Sequence, residues 1–253
     1  MPSMKPRKPD ANEPRPGRHV LFIAFLAIAA IAVVAGVAYD HYRKPAATES
    51  TQAAATPVGT VQETKRIAFI GDSYTAGTGA PDGEGYAWLV AKNFNVNAQV
   101  SAEENAGYIK PGGSGRTMIN LVQGAEAAFS PANVIVLAGG YNDNLGAPPS
   151  SVGFRAAVQA TFTAAREWSP DADIIVLGPW TPTGVPTTNQ SIVNDVLREE
   201  SQSSGFMFVD TIRPPMVTSE MIGSDGFHPT PEGHQQLAGK VVAALRDRIP
   251  AFA

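Results

Sequence analysis

From residue 66 onward, short apolar runs alternate with longer segments whose apolar positions recur at helical spacing. Short runs between turn-forming residues are typical of buried strands, and a 3.6-residue period is typical of helices that pack on a sheet. The predicted strands are 66–70, 98–101, 134–138, 173–177 and 206–209. The predicted helices are 86–93, 117–128, 151–168, 191–201 and 231–248. This alternation predicts an α/β fold, a three-layer αβα sandwich with a mainly parallel five-stranded sheet.

A different pattern occupies the amino-terminal region, where residues 20–38 are uninterruptedly apolar or small. Since a helix rises 1.5 Å per residue, a stretch of this length can cross a hydrocarbon core of roughly 30 Å. We therefore expect residues 20–39 to form one transmembrane helix, a signal anchor, ahead of the folded domain.

The charges around this span predict its orientation. Basic residues are more numerous before the span than after it, so residues 1–19 should form a basic tail that stays in the cytoplasm. The folded domain then lies outside the cytoplasm, held at the cell membrane by a single pass. Cleavage after a signal peptide is the alternative and would secrete the protein, because 36–38 has the small residues of a cleavage site. The long Pro-rich tail and the length of the apolar stretch favour the uncleaved anchor.

Residues 40–64 are rich in Ala, Thr and Pro, and 45–57 contain no large apolar side chain. Such a segment cannot bury enough apolar surface to fold, so it predicts a flexible linker. The folded domain is expected over residues 65–253.

Composition excludes several kinds of chemistry. The chain has no cysteine and only four histidines, and their spacing matches no zinc site. The glycine-rich stretch 112–115 lacks the Lys-Ser or Lys-Thr pair of a phosphate-binding loop. The formal net charge is −4 and no basic patch indicates nucleic-acid binding. We therefore expect no metal, no cofactor and no nucleic-acid partner.

Two short motifs supply the groups of a serine hydrolase. Gly71-Asp72-Ser73 follows the first predicted strand, and Asp225-Gly226-Phe227-His228 precedes the last predicted helix. A serine hydroxyl needs a neutral imidazole to take its proton during attack, and the imidazole needs a carboxylate to orient it. Ser73, His228 and Asp225 are the candidates for these roles. A third motif, Gly140-Tyr141-Asn142, follows another buried strand, so its residues should lie at the same sheet edge as Ser73.

With these three motifs in this order, the chain from about residue 66 to 249 resembles the SGNH hydrolases, also called GDSL-like esterases. The resemblance implies a flavodoxin-like sheet, Ser73 as nucleophile, His228 as general base and then acid, and Asp225 as its orienting partner. It also implies an oxyanion hole formed by the amide of Ser73, a glycine amide and the side chain of Asn142.

Two positions depart from the family pattern. The family's second block usually contains a spaced pair of glycines after its asparagine, whereas this chain has Asn105-Ala106-Gly107-Tyr108. Gly107 is the expected glycine donor because it closely follows the second strand, and the amide of Asn105 is the alternative. Tyr74 also stands where leucine is usual after the serine.

The resulting hypothesis is a membrane-anchored serine esterase outside the cytoplasm, whose substrate is a small ester or a cell-envelope glycan or lipid. An acyltransferase or deacetylase acting on envelope polysaccharide is one alternative. A non-catalytic carbohydrate-binding module is another, which the intact motif residues disfavour.

Three further side chains carry expectations. Trp180 and Tyr141 lie on loops that could contact substrate, although packing is the favoured role for Trp180. His234 is expected on the solvated side of the last helix.

Overall fold

A computed structural model describes residues 65–144, 151–246 and 249 of the chain. The predicted tail, transmembrane span and linker, residues 1–64, lie outside the described residues. No helix within the described ranges is both long and apolar enough to cross a membrane.

The sheet contains five parallel strands in the order β2-β1-β3-β4-β5. They are β1 (Arg66–Gly71), β2 (Asn97–Ala102), β3 (Val134–Ala138), β4 (Asp173–Leu177) and β5 (Met207–Val209). This order is that of flavodoxin-like sheets, so the predicted sheet type is confirmed.

In the described part of the chain, six helices connect or follow these strands. They are α1 (Ser73–Ala76), α2 (Tyr86–Phe94), α3 (Met118–Ala128), α4 (Ser151–Trp168), α5 (Thr188–Ser203) and α6 (Pro231–Leu245). Two 3₁₀ turns, Asn142–Asn144 and Ser219–Met221, complete the described elements.

Alternate side chains of each strand face opposite layers. In β1, Ile67 and Phe69 are buried in one cluster with residues of α2 and α6. Ala68 and Ile70 are buried in a second cluster with residues of α3, α4 and α5. Strands with both faces covered have continuous apolar sequences, so the sequence pattern predicts their positions well. The three-layer αβα prediction is confirmed.

Two helices differ from their predicted ends by three residues. Helix α5 begins at Thr188 and not at 191, because the Thr187 hydroxyl accepts a hydrogen bond from the amide of Gln190. The side chain of Gln190 accepts one in return from the amide of Thr187 at 2.8 Å. Helix α6 ends at Leu245, three residues before the predicted end.

The sheet brings the ends of three strands to one edge. Gly71 at the end of β1 pairs with Ala102 of β2 on one side and with Ala138 of β3 on the other. The residues that follow these three strands therefore lie side by side.

Candidate active site

Ser73 is the first residue of α1, directly after β1. The side chain of Asp72 caps this short helix by accepting a hydrogen bond from the amide of Tyr74 at 3.1 Å. Gly71 allows the tight turn, because a Cβ at this position would lie 2.4 Å from the carbonyl oxygen of Ala138. The turn places the serine at the sheet edge with 8% of its surface exposed.

The structure brings Ser73, His228 and Asp225 together. His228 Nε2 lies 3.0 Å from Ser73 Oγ, and His228 Nδ1 lies 2.7 Å from Asp225 Oδ2. Ser73 and His228 are 155 residues apart in the sequence. This is the hydrogen-bond chain that a serine hydrolase uses to activate its nucleophile.

Asp225 is held as a carboxylate. Its Oδ1 accepts hydrogen bonds from the amides of Phe227 at 2.9 Å and His228 at 3.0 Å. These amide bonds, with the His228 side chain, lower the pKa of Asp225 to about 2. An ionised carboxylate only accepts hydrogen bonds, so His228 Nδ1 carries the proton and the neutral ring can accept the Ser73 hydroxyl at Nε2.

The turn that carries His228 is fixed at both ends. The amide of Gly223 donates to the carbonyl oxygen of His228 at 2.8 Å, and the amide of Thr230 donates to that of Met221 at 2.9 Å. The Thr230 hydroxyl then caps α6 by accepting a hydrogen bond from the amide of Gly233 at 3.0 Å. The imidazole therefore stands on a turn held by a capped helix.

Asn142 follows β3 and is 8% exposed. Its side-chain Nδ2 donates to the carbonyl oxygen of Ala106 at 2.9 Å. A side-chain amide nitrogen carries two hydrogens, so one remains for another acceptor. The bond to Ala106 also links the loop after β3 to the loop after β2.

Gly107, the predicted glycine donor to the oxyanion, lies in the loop after β2. Its amide already donates to the carbonyl oxygen of Lys110 at 2.8 Å. The amides of Asn105 and Ser73, by contrast, donate to no acceptor among the described residues. Asn105 adopts a φ of 64°, in the left-handed region that glycine usually occupies.

The position of Asp143 explains why residue 107 is glycine. Its carboxylate accepts hydrogen bonds from the amides of Tyr108, Ile109 and Lys110 at 2.8 to 3.0 Å. A Cβ on Gly107 would lie 2.6 Å from both carboxylate oxygens. Burial raises the pKa of Asp143, against the effect of these amide bonds. Sequence reasoning missed Asp143, although it directly follows Asn142.

Asp72 is a second buried carboxyl beside the nucleophile. Burial raises its pKa to about 7, and the negative charge of Asp143 adds to the effect. Its Oδ2 is buried without a hydrogen-bond partner among the described residues. The Gly71-Asp72-Ser73 motif predicted a turn, but it did not predict that the Asp72 carboxyl would be buried.

The prediction for His234 is wrong, because the side chain has no exposed surface. The amide of Tyr86 donates to its Nδ1 at 3.2 Å, and its Nε2 lies 3.0 Å from the carbonyl oxygen of Thr78, to which it must donate. Burial lowers its pKa, and the neutral ring suits an Nδ1 that accepts a hydrogen bond. The sequence does indicate that this side chain is buried, since His234 is one turn before the apolar Leu237 and Ala238 on the same helix face.

Trp180 and Tyr141, the two aromatic candidates for substrate contact, differ in burial. Trp180 is fully buried in the core cluster shared with Tyr86, so the packing role is confirmed. Tyr141 is half-buried in the loop after β3.

Comparison with known sequences identifies a family and a relative. A family model described as the GDSL-like lipase/acylhydrolase family matches residues 69–236. A GDSL lipase from Mycobacterium tuberculosis is 33% identical over 188 residues, covering 71% of this chain and 80% of that protein.

Solved structures share the fold. An active-site mutant of a family two carbohydrate esterase from Clostridium thermocellum aligns with a TM-score of 0.61 at 20% identity. An acetyl xylan esterase from Butyrivibrio proteoclasticus aligns with a TM-score of 0.56 at 19% identity. The alignments cover 73% and 75% of this chain, and 64% and 65% of those chains. This chain thus spans slightly less than two thirds of either structure.

Proposed function

The chain belongs to the GDSL-like lipase/acylhydrolase family and is a serine ester hydrolase, and we propose that Ser73, His228 and Asp225 carry out its reaction through an acyl-serine intermediate. The observation that supports this assignment most directly is the continuous chain from Ser73 Oγ through both His228 ring nitrogens to Asp225, with separations of 3.0 and 2.7 Å.

The steps follow from the orientation of these groups. Ser73 Oγ attacks the ester carbonyl carbon while His228 Nε2 takes the hydroxyl proton. Asp225 stabilises the positive charge that the ring gains. His228 then protonates the departing alcohol, which leaves the acyl group on Ser73. Water attacks this ester in turn, with His228 again as base, and releases the acid.

The oxyanion that forms at each attack needs hydrogen-bond donors. The proposed donors are the amide of Ser73, the free hydrogen of Asn142 Nδ2 and the amide of Asn105. Asn105 replaces Gly107 in this role because its amide is unused, whereas that of Gly107 is bonded to Lys110. Losing one such donor typically costs about 3 to 4 kcal/mol of transition-state stabilisation.

The test is hydrolysis of p-nitrophenyl esters of increasing acyl length by the full chain in detergent. Ser73→Ala should lower the rate roughly 10³-fold or more. Ser203→Ala, which removes an exposed hydroxyl on α5, is the matched control and should leave the rate unchanged. Equal rates for Ser73→Ala and the parent chain would exclude Ser73 as nucleophile.

A glycan ester is the second proposed substrate class, and a groove at the far end of α1, the short helix that begins with Ser73, supports it. The groove has a volume of about 550 Å³ and lies between the end of α1, the start of α2 and the edge strand β2. Its walls include Trp88, Asp82 and Glu104. An exposed indole beside carboxylates suits a sugar ring, which offers apolar C–H faces and hydroxyl groups.

This substrate class is tested by comparing two substrates. Trp88→Ala should raise KM for acetylated xylan oligosaccharides and leave KM for p-nitrophenyl acetate unchanged. Adding excess sugar to the acyl-enzyme separates transfer from hydrolysis, since an acyltransferase forms a new sugar ester. Unchanged KM values for both substrates would remove the groove from substrate binding.

The proposed location is the outer side of the cell membrane, with residues 20–39 as the anchor. The apolar span and the excess of basic residues before it support this topology. Protease added to spheroplasts should digest the domain, which should fractionate with membranes. Recovery in the culture medium would indicate a cleaved signal peptide, and protection from protease would contradict the orientation.

A further inference from the structure

Tyr74 connects the nucleophile helix to the turn that carries His228. Its hydroxyl donates to the carbonyl oxygen of Phe227 at 2.6 Å, across 153 residues of sequence. Its ring is 2% exposed and stacks on Trp180, with centroids 5.6 Å apart and planes 14° apart. We propose that Tyr74 is a positioning residue that sets the place of the His228 imidazole relative to Ser73, an inference that rests on the proposed function.

The hydrogen bond acts on the peptide group directly before His228. The carbonyl side of the Phe227–His228 peptide is held by Tyr74, and its amide side is held by Asp225 Oδ1 at 3.0 Å. With both polar groups of this peptide bonded, its plane cannot rotate freely. The orientation of the peptide in turn determines where the imidazole stands.

The hydrogen bond between Ser73 and His228 also joins α1 to the His228 turn, but it cannot supply the same constraint. The bond between Ser73 Oγ and His228 Nε2 breaks and reforms in each turnover, because the serine proton moves through it. The Tyr74 hydroxyl takes no part in that transfer. Its bond to Phe227 can therefore persist while the Ser73–His228 bond is exchanged.

The surroundings of Tyr74 keep it in this role. Trp180 is fully buried, so the face of the Tyr74 ring that stacks on it has a rigid support. The His228 ring is also close to Tyr74, with ring centroids 6.1 Å apart and planes tilted by 52°. Burial also raises the pKa of Tyr74, so its hydroxyl remains a donor throughout the working pH range. A leucine here could pack but could not hold the Phe227 carbonyl.

The test is Tyr74→Phe in the full chain, with Tyr86→Phe as the matched control. Tyr86 is also a buried tyrosine that packs against Trp180. Its hydroxyl lies 3.0 Å from the hydroxyl of Thr75, which belongs to α1 as Tyr74 does. Within the part of the chain that the structure describes, the Tyr86 side chain makes no hydrogen bond to the His228 turn. Both variants lose one buried hydroxyl, and only Tyr74→Phe frees the Phe227 carbonyl.

We expect Tyr74→Phe to lower kcat for p-nitrophenyl acetate about 10-fold or more, with KM within about twofold of the parent value. Tyr86→Phe should change kcat less than twofold. The melting temperatures of both variants are measured alongside. Unchanged kcat in Tyr74→Phe, or equal loss in both variants following their melting temperatures, would overturn the proposal in favour of simple packing.

A second measurement does not depend on turnover. The proton on His228 Nδ1, bonded to Asp225, is followed by nuclear magnetic resonance and assigned by its loss in His228→Gln. Its exchange with water should accelerate in Tyr74→Phe and stay slow in Tyr86→Phe. Equal exchange in the parent chain and Tyr74→Phe would refute the positioning role. An inactive parent chain with this exchange difference would leave the positioning role standing and refute the proposed reaction.

Discussion

At the level of single residues, the site combines exposed and enclosed carboxyl groups with different roles. Asp225 is half exposed, and its bonds to two amides and to His228 keep it ionised. Asp72 is almost fully buried beside Ser73, and burial raises its pKa to about 7. The first environment suits a carboxylate that must stabilise an imidazolium. The second penalises charge and makes stability depend on pH.

Asp72→Asn should reveal that dependence. The folded-state pKa of about 7 lies above the ordinary value of 3.8, so the folded protein binds the proton more tightly. The stability contribution is therefore complete below about pH 4 and is lost as pH rises through about 7. Urea unfolding between pH 5 and 8 should show Asp72→Asn gaining stability relative to the parent chain, by up to about 3 kcal/mol.

Asp171→Asn is the control, because Asp171 is exposed after α4. Its unfolding free energy should run parallel to that of the parent chain across the same pH range. If Asp72→Asn also runs parallel, Asp72 does not take up a proton on folding.

Asn142 and Asn105 are proposed to act through different atoms, the side-chain amide at 142 and the backbone amide at 105. Asn142→Ala should therefore lower kcat roughly 10²- to 10³-fold, as expected for a lost oxyanion donor. Asn105→Gly keeps the amide and the left-handed φ of 64°, so it should retain kcat within a fewfold. Ester hydrolysis by both variants provides the measurement. A large loss in Asn105→Gly would instead assign the function to that side chain.

At the level of elements, the site depends on loops that are held by buried polar groups. Asp143, after β3, holds the loop after β2 by three amide bonds. His234, on α6, holds the segment between α1 and α2 through Tyr86 and Thr78. In both cases one side chain on a regular element fixes a loop that belongs to another element.

The role of His234 predicts a second pH effect. Its pKa is lowered from 6.5, so the unfolded chain binds a proton more readily, and stability is lost as pH falls below about 6.5. His234→Asn keeps an acceptor for Tyr86 but does not titrate. It should be less stable at pH 8 by about 1 to 3 kcal/mol and should lose less stability between pH 7 and 5 than the parent chain does.

Chemical denaturation at fixed pH values measures both quantities for His234→Asn. The Asp72 contribution is common to both proteins and cancels in their difference. Parallel pH profiles for the two proteins would show that His234 is not buried in its neutral form.

At the level of the whole molecule, the sheet order assembles the site. Strands β2, β1 and β3 are neighbours, so the loops that carry Asn105, Ser73 and Asn142 emerge side by side. The fourth contribution, the turn with Asp225 and His228, comes from the far end of the chain and is placed by the docking of α6. Residues Val61–Ala253 form a compact unit with its own core.

A chain that begins at Val61 should therefore fold and hydrolyse esters without the preceding residues. Its melting should be cooperative and its kcat for p-nitrophenyl acetate should lie within about twofold of that of the full chain in detergent, because every proposed catalytic group belongs to this unit. Calorimetry and kinetics on both chains provide the comparison. Aggregation or loss of activity after truncation would show that residues 1–60 support the domain.

Local sequence determined most of the secondary structure and the identity of the three motif residues. Strands 134–138 and 173–177 and helix 151–168 have their predicted bounds, because strands covered on both faces and long amphipathic helices carry a strong local signal. Ser73, Asp225 and His228 were predicted as the catalytic residues because the proposed chemistry requires those residue types next to turns and helix caps.

Tertiary structure decided what the local pattern does not contain. The amide of Gly107 is used because Lys110 turns back onto it, and its neighbouring amides are used because Asp143 arrives from β3. The Tyr74 hydroxyl finds its acceptor 153 residues away. His234 is buried because the segment before α2 covers it. Hydrogen-bond partners and burial depend on which segments meet, and chain folding brings together residues that sequence spacing keeps apart.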